Sequence, residues 1–354
     1  MYIPSIYTVE SVTSGHPDKV CDQISDAILD ACLAEDPGSR VAVETFGSHG
    51  MIVIGGEVTS LARVNYEKIA RMVYKDIGYE DEPRVLVNVS EQSSDIACGV
   101  DQGGAGDQGI MYGFATNETP EMLPVGVVLV HAMAKRLDTL RKNGQIPWLR
   151  PDGKTQVTME HGRPTCILVS CQHDVSVLQN EIRASILEQI VKPILEEYHF
   201  SFKTVSDVFV NPTGSFVRGG FEADTGLTGR KIMVDTYGGL LPHGGGCFSG
   251  KDATKVDRCA AYMARFTAKQ IVASGRANQC LVSVAYAIGK AEPLMLRAVD
   301  EQGKDLSSFL QEKAFNFRPV AIRETLGLSR PIFRQTAVYG HFGKSEFPWE
   351  NSKD

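Results

Sequence analysis

The sequence predicts an α/β protein of the α+β type, in which helices pack on small mixed sheets and one unit recurs with approximate internal threefold repetition. Two observations carry this reading. The order helix, strand, strand, helix, strand returns at intervals of roughly 100 residues, and glycine-rich polar stretches close the passes at 99–109, 211–229 and 339–343. The chain has 354 residues, 43% of them hydrophobic, enough for three structurally similar domains with an ample core. They are placed at 1–101, 102–218 and 219–354.

In the first unit a short strand leads through SGHPDK (14–19) into a helix over 20–33, where Val20, Ile24, Ala27, Ile28 and Ala31 share one face and Pro17 suits the first helical position. Alternating runs at 41–46 and 51–59 form a hairpin across Gly47-Ser48-His49-Gly50, and a helix over 65–77 and a strand over 84–89 follow. The second unit repeats this order. A helix spans 124–142, paired strands at 155–160 and 165–172 turn at His161-Gly162-Arg163-Pro164, and a helix over 175–198 precedes a strand over 207–210. In the third, Ile232–Val234 reads as a short buried strand ahead of a helix over 252–274, strands at 281–288 and 294–299, and a helix over 306–314.

A formal charge of −7 argues against a nucleic-acid or anionic-membrane partner. The longest apolar stretch, 124–134, is interrupted by His131 and too short to span a bilayer, and the N-terminus lacks a signal-peptide pattern, so a cytoplasmic protein is expected. Eight scattered cysteines without a C-x-x-C pair suggest neither a zinc site nor a disulfide framework.

Against this acidic background, residues 228–258 bring the cations Arg230, Lys231, Lys251 and Lys255 together with Gly238, Gly239, Gly244, Gly245, Gly246 and Gly250. Such a stretch reads as a polyanion cradle at a helix start, which Ser249 or Asp252 can cap and where Lys251 and Lys255 lie one turn apart. Asp252 and Asp257 are left as partners or metal ligands. A loop with solvated lysines is the plainer alternative. GGCFSGKD also fits the P-loop pattern at Gly245, Gly250 and Lys251, but Asp252 stands where that motif needs Ser or Thr.

At the first helix start, His16, Asp18 and Lys19 set a base, an acid and a cation beside free backbone N–H groups, which suits a metal-bound phosphate as well as simple capping. Taken singly, Glu44 and Glu57 are ordinary strand residues, and Asp107, Asp152 and Asp224 ordinary turn or loop residues. Together they supply acids for cations beside bases for a polyphosphate. No Ser-His-Asp order or activated cysteine presents itself.

With GAGDQG at 104–109, RPDGKTQVT at 150–158, NPTG at 211–214, TGRKIMVDTYGG at 228–239, GGGCFSGKD at 244–252 and the closing YGHFG and FPWE beside SGHPDK, the chain closely resembles the S-adenosylmethionine synthetase (methionine adenosyltransferase) family over its whole length. The resemblance implies a homodimer with active sites at the subunit interface, often a dimer of dimers. It implies attack of methionine sulfur on the ribose 5′ carbon of ATP, release of tripolyphosphate and its hydrolysis to pyrophosphate and phosphate. Two Mg²⁺ and one K⁺ per site assist.

By the same resemblance, His16, Lys154, Arg230, Lys251 and Asp107 would act in catalysis. Asp152, Ser215, Phe216, Asp224, Lys231 and Cys247 would join His16, Lys154, Arg230 and Lys251 around ATP, with Phe216 facing the adenine. Glu57, Gln92, Asp224 and Lys255 would hold methionine, Asp18 and Asp257 magnesium, and Glu44 potassium. Three departures stand out: a shortened stretch between Tyr79 and Gly103, where the family's mobile loop normally lies, Ser215 in place of a common arginine, and Cys247 in place of alanine. A P-loop-like phosphotransferase, which would make ADP, and a non-catalytic nucleotide-binding subunit are the competing readings.

Overall fold

The computed structural model of the chain describes residues 3–91 and 103–351. Strand β1 (Ile6–Val12) enters helix α1 (Pro17–Glu35), followed by the hairpin β2 (Arg40–Ser48) and β3 (Met51–Thr59), α2 (Tyr66–Ile77) and β4 (Arg84–Ser90). After β5 (Gly109–Thr116) the order recurs as α3 (Val125–Lys142), β6 (Leu149–Glu160), β7 (Arg163–His173), α4 (Gln179–Ile186), α5 (Lys192–Glu197) and β8 (Asp207–Val210). The short β9 (Gly226–Leu227) and α6 (Ile232–Asp235) lead to α7 (Val256–Ala273), β10 (Gln279–Tyr286), β11 (Met295–Asp300), α8 (Ser307–Glu312) and α9 (Pro319–Thr325). The threefold recurrence is present, although among the described residues no strand closes the last pass.

Three small sheets result, ordered β4-β3-β2-β9, β1-β6-β7-β8 and β11-β10-β5. The first two are mixed: their hairpins are antiparallel, and helical crossovers return β4 parallel to β3 and β8 parallel to β7. Both hairpins turn on a His-Gly pair with positive φ, His49 and Gly50 at 40° and 75°, His161 and Gly162 at 47° and 77°. That backbone matches the twist of the paired strands. Each sheet also takes a strand from elsewhere in the chain: β1 pairs with β6, β5 with β10 and β9 with β2.

Helix α1 packs on β2, α3 on β6 and β1, and α7 on β5 and β10. In α1, Val20, Ile24, Ile28 and Leu29 are wholly buried, each such side chain contributing about 1.5–3 kcal/mol. The tail closes over α7, where Trp349 stacks on Tyr262 with ring centroids 3.8 Å apart and Glu350 pairs with the buried Arg265 at 2.9 Å.

Three sequence expectations are corrected. Residues 232–234 are helical rather than a strand, because one turn carries Val234 and Asp235 inward together, Asp235 to reach Lys19. The helix expected from 252 begins at Val256: Lys251 bridges Ala42 at the sheet edge, and Asp252 caps nothing but accepts from the Val41 and Thr254 N–H groups. The helix expected over 175–198 starts at Gln179 and widens to a π turn at Leu187–Val191, where Pro193 cannot donate to the ladder.

Candidate active site

Helix α1 positions much of the site through four aspartates spaced four residues apart. Asp18 Oδ1 accepts from Leu227 N at 2.9 Å, Asp22 Oδ1 from Gly229 N at 2.9 Å, and Asp26 Oδ1 from Gly250 N at 2.8 Å. Asp30 accepts from Phe333 N and Arg334 N at 2.9 and 2.8 Å. A four-residue period keeps these carboxylates on one face, so the helix is a rail to which 227–229, 250 and 333–334 are tied. At the third rung Arg258 clasps both Asp26 oxygens at 2.6 and 2.9 Å and donates to Phe248 O and Lys251 O. The glycine-lysine loop is thereby fixed from beneath.

Two lysine–aspartate pairs stand above the rail. Lys231 Nζ lies 2.5 Å from Asp18 Oδ2, and Lys251 Nζ 2.6 Å from Asp257 Oδ2. Burial opposes ionisation of Asp18, but bonds from Lys231 and Leu227 hold its carboxyl below the usual range. Gly246 lies so close that a Cβ there would overlap the Asp257 carboxylate, and Gly229 packs on Cys247. The 228–231 and 244–252 blocks are therefore neighbours.

His16 is the N-cap of α1, and its Nδ1 accepts from Asp18 N at 3.2 Å. Burial, helped by the charges of Lys231 and Lys154, pushes the imidazole down to about 3. It is neutral at physiological pH, and with Nδ1 accepting, the proton sits on Nε2. Lys154 pairs with Val12 in the β1–β6 ladder. Gly15 packs against Pro151, and Thr13 N donates to Gly153 O at 3.0 Å, so the 150–154 segment flanks His16.

Sheet register gathers another set. Glu57 of β3 opposes Ala42 of β2, which bridges Lys251, while Glu44 lies two residues along from Ala42 and opposes Gly55. Paired residues and i, i+2 neighbours share a face, so Glu44, Glu57 and Lys251 stand together on the side away from α1. The small Ala42 and Gly55 leave space between them.

Asp152 accepts from Gly220 N at 2.9 Å, and burial pushes its carboxyl up to about 6, with the charge of Asp224 adding to the rise. Phe216 is bonded through its backbone to His173 in both directions at 3.0 Å. Arg230, Ser215, Asp224 and Asp107 are exposed. The Asp107 loop approaches the same region, since Gly109 packs near the Asp257 carboxylate. Gln92 lies outside the described residues.

Lys19, grouped with His16 and Asp18 by sequence, instead turns inward. It is buried between Asp22 at 2.8 Å and Asp235 at 2.5 Å, and these acids raise its pKa despite burial. Nor do Lys251 and Lys255 face one ligand as paired: Lys255 bonds Asp252 at 2.5 Å, because Lys251 lies on the sheet edge ahead of the helix. For the same reason the P-loop geometry is absent at Lys251, which lies five residues before α7. Asp22, Asp26 and Arg258 were missed as positioning residues, though the D-x-x-x-D-x-x-x-D spacing of α1 was there to be read.

Among the described residues no three ligating side chains cluster as an all-protein metal site. Asp18 and Asp257 each stand singly, which fits Mg²⁺, an ion commonly held by one or two carboxylates together with substrate phosphates.

Three family models match nearly the whole chain: the N-terminal domain of S-adenosylmethionine synthetase over residues 4–100, its central domain over 102–216 and its C-terminal domain over 218–351. The S-adenosylmethionine synthase of Pseudothermotoga lettingae is 50% identical, the match covering 98% of this chain and 96% of the relative. That of Desulforudis audaxviator is also 50% identical, over 98% and 95%. The first alignment runs over 386 positions against a chain of 354 residues, so the relative carries residues that this chain lacks. With the full set of domains matched in order, the chain belongs to the S-adenosylmethionine synthetase family.

Proposed function

We propose that this chain's synthesis of S-adenosylmethionine from ATP and L-methionine runs where the α1 start, residues 228–231 and the 244–257 loop meet. The observation that supports this placement is the pairing of Asp18 with Lys231 and of Asp257 with Lys251. The two pairs set side by side what a metal-bound triphosphate needs, ammonium groups for phosphate oxygens and carboxylates for divalent ions.

A thioether sulfur has no proton to lose, so displacement at the ribose 5′ carbon requires no general base. The sulfur–carbon bond forms as the carbon–oxygen bond breaks, and the electron pair leaves on the triphosphate. Alignment and stabilisation of that leaving group are what the protein supplies. Arg230, Lys231 and Lys251 serve this purpose, with Lys154 beside them, and neutral His16 donates from Nε2–H to a phosphate or ribose oxygen. Asp152, Ser215, Phe216, Asp224 and Cys247 complete the ATP site. Glu57, Gln92, Asp224 and Lys255 hold methionine, and Asp107 faces the sulfonium. Asp18 and Asp257 would hold two Mg²⁺ and Glu44 one K⁺. Mg²⁺ held by these carboxylates would draw charge from the departing triphosphate; water then splits the triphosphate to pyrophosphate and phosphate.

The units at 1–101, 102–218 and 219–354 act together in a homodimer, and dimers can pair again. Exposed Leu86 and Val87 on β4, Phe209 on β8, and Ile110 and Met295 on β5 and β11 put apolar surface on all three sheets, which supports association through them. No helix among the described residues is long and apolar enough to cross a membrane, in keeping with a cytoplasmic enzyme.

Product analysis with ATP, methionine, Mg²⁺ and K⁺ tests the reading. A methionine-dependent sulfonium compound with pyrophosphate and phosphate is expected. ADP as the product, or ATP binding without turnover, would overturn it.

A further inference from the structure

The blocks that carry Lys231 and Lys251 are anchored at two different points, and one buried side chain from the tail reaches both. The first block ends at Asp235, whose N–H donates to Lys231 O at 2.8 Å and whose Oδ1 lies 2.5 Å from Lys19 Nζ. The second is held by Arg258, which donates to Phe248 O at 2.9 Å and to Lys251 O at 3.1 Å. His341 joins these two anchors and is wholly buried, as are Arg258 and Tyr262.

The backbone of His341 fixes the first contact. Tyr339 and Gly340 take positive φ, 55° and 76°, and the chain then brings His341 N to Asp235 O at 2.9 Å. Trp349 Nε1 donates to His341 O, also at 2.9 Å, so both polar groups of its main chain are engaged. The ring makes the remaining contacts. Nδ1 lies 2.7 Å from the Tyr262 hydroxyl, whose oxygen accepts from Arg258 Nε at 3.0 Å. The imidazole meets Phe248 edge to face, with ring centroids 4.9 Å apart. Nε2 faces Asp235 Oδ1 at 3.8 Å, an electrostatic contact longer than a hydrogen bond.

Burial, with the charges of Arg258 and Lys19, pushes the imidazole well below its usual range, so it is neutral. Arg258 can only donate, so the Tyr262 hydroxyl proton goes to Nδ1 and the His341 proton sits on Nε2, beside the Asp235 carboxylate. Donors therefore run in one direction, from Arg258 through Tyr262 and His341 toward Asp235. A buried polar chain of this kind favours a single arrangement, because breaking it strands a polar atom away from water.

We propose that His341 is a positioning residue for sulfonium formation, which sets the Lys231 block against the Lys251 block by linking Asp235 to Arg258 through Tyr262. The inference rests on the placement of the reaction at those two lysines. Being wholly buried, His341 acts only through them.

Steady-state kinetics of His341→Phe, which keeps an aromatic ring and loses both nitrogens, provide the test. In protein with wild-type circular dichroism, kcat should fall at least about tenfold while KM for methionine changes less than about twofold, the pattern of an interaction that counts in the transition state. Because the loss runs through the lysines, Lys231→Met and Lys251→Met should each cost at least about threefold less in the His341→Phe background than alone. A residue that only supports the fold would leave those costs unchanged. Tyr262→Phe removes one oxygen from the same link and should show the same coupling, so it carries the test if His341→Phe does not fold. Wild-type kcat in either variant, or equal lysine costs in both backgrounds, would overturn the proposal and leave the reaction site standing. Lys231→Met and Lys251→Met that both turn over at the wild-type rate would instead remove the reaction from this site, and the inference with it.

Discussion

Lys231 Nζ stands 2.5 Å from Asp18 Oδ2, joining a basic residue of the 228–239 block to an acid at the start of the first helix. A triphosphate drawing on Lys231 and a Mg²⁺ drawing on Asp18 would each replace one half of this pair, so binding of the two is coupled. Lys231→Met should lower kcat by about 10²–10³-fold, the usual cost of removing one donor to developing negative charge, and should raise the Mg²⁺ concentration needed for half-maximal rate less than Asp18→Asn does. Steady-state rates across a Mg²⁺ titration measure both.

His16 should not titrate in the working pH range. Its folded pKa of about 3 lies below the ordinary 6.5, so protonation disfavours the folded form. Its contribution to stability is fully present above pH 6.5 and is lost as pH falls toward 3. Imidazole NMR signals of His16 should stay in the neutral form down to about pH 4. In Lys231→Met they should move at higher pH, because a cation that lowers the pKa is gone.

Gly246→Ala should disable the enzyme while leaving it folded. The added methyl group would overlap the Asp257 carboxylate and push it from Lys251, with a loss of at least about tenfold in kcat/KM, or 1.4 kcal/mol. Unchanged kinetics would show that Asp257 can occupy a different place without consequence.

Arg258 and Asp26, both wholly buried, hold Gly250 and Lys251 in position. Arg258→Met should cost about 3–5 kcal/mol, because it strands a buried carboxylate, whereas Asp26→Leu together with Arg258→Met should cost less than the sum. Urea unfolding reads the stability. If the clasp positions the loop, the double variant should regain stability before it regains kcat.

Much of the fold was legible. The apolar face of α1, the alternation of β2 and β3 and the two His-Gly turns are local signals, and local backbone preference decided them. The 232–235 segment was misread because its direction is set by Asp235 reaching Lys19. The start of α7 was misread because Asp252 serves a strand 211 residues away through Val41 N. In the site, the residue types were visible in the motifs, but which acid faces which base was not.

The sequence by itself determined the repeated unit, the residue chemistry of the blocks and the family. Only the tertiary structure decided that β1, β5 and β9 complete sheets built mainly from other parts of the chain, and that the α1 aspartates tether loops more than two hundred residues distant. Backbone N–H groups look the same in every sequence, so their choice of partner is settled by packing alone.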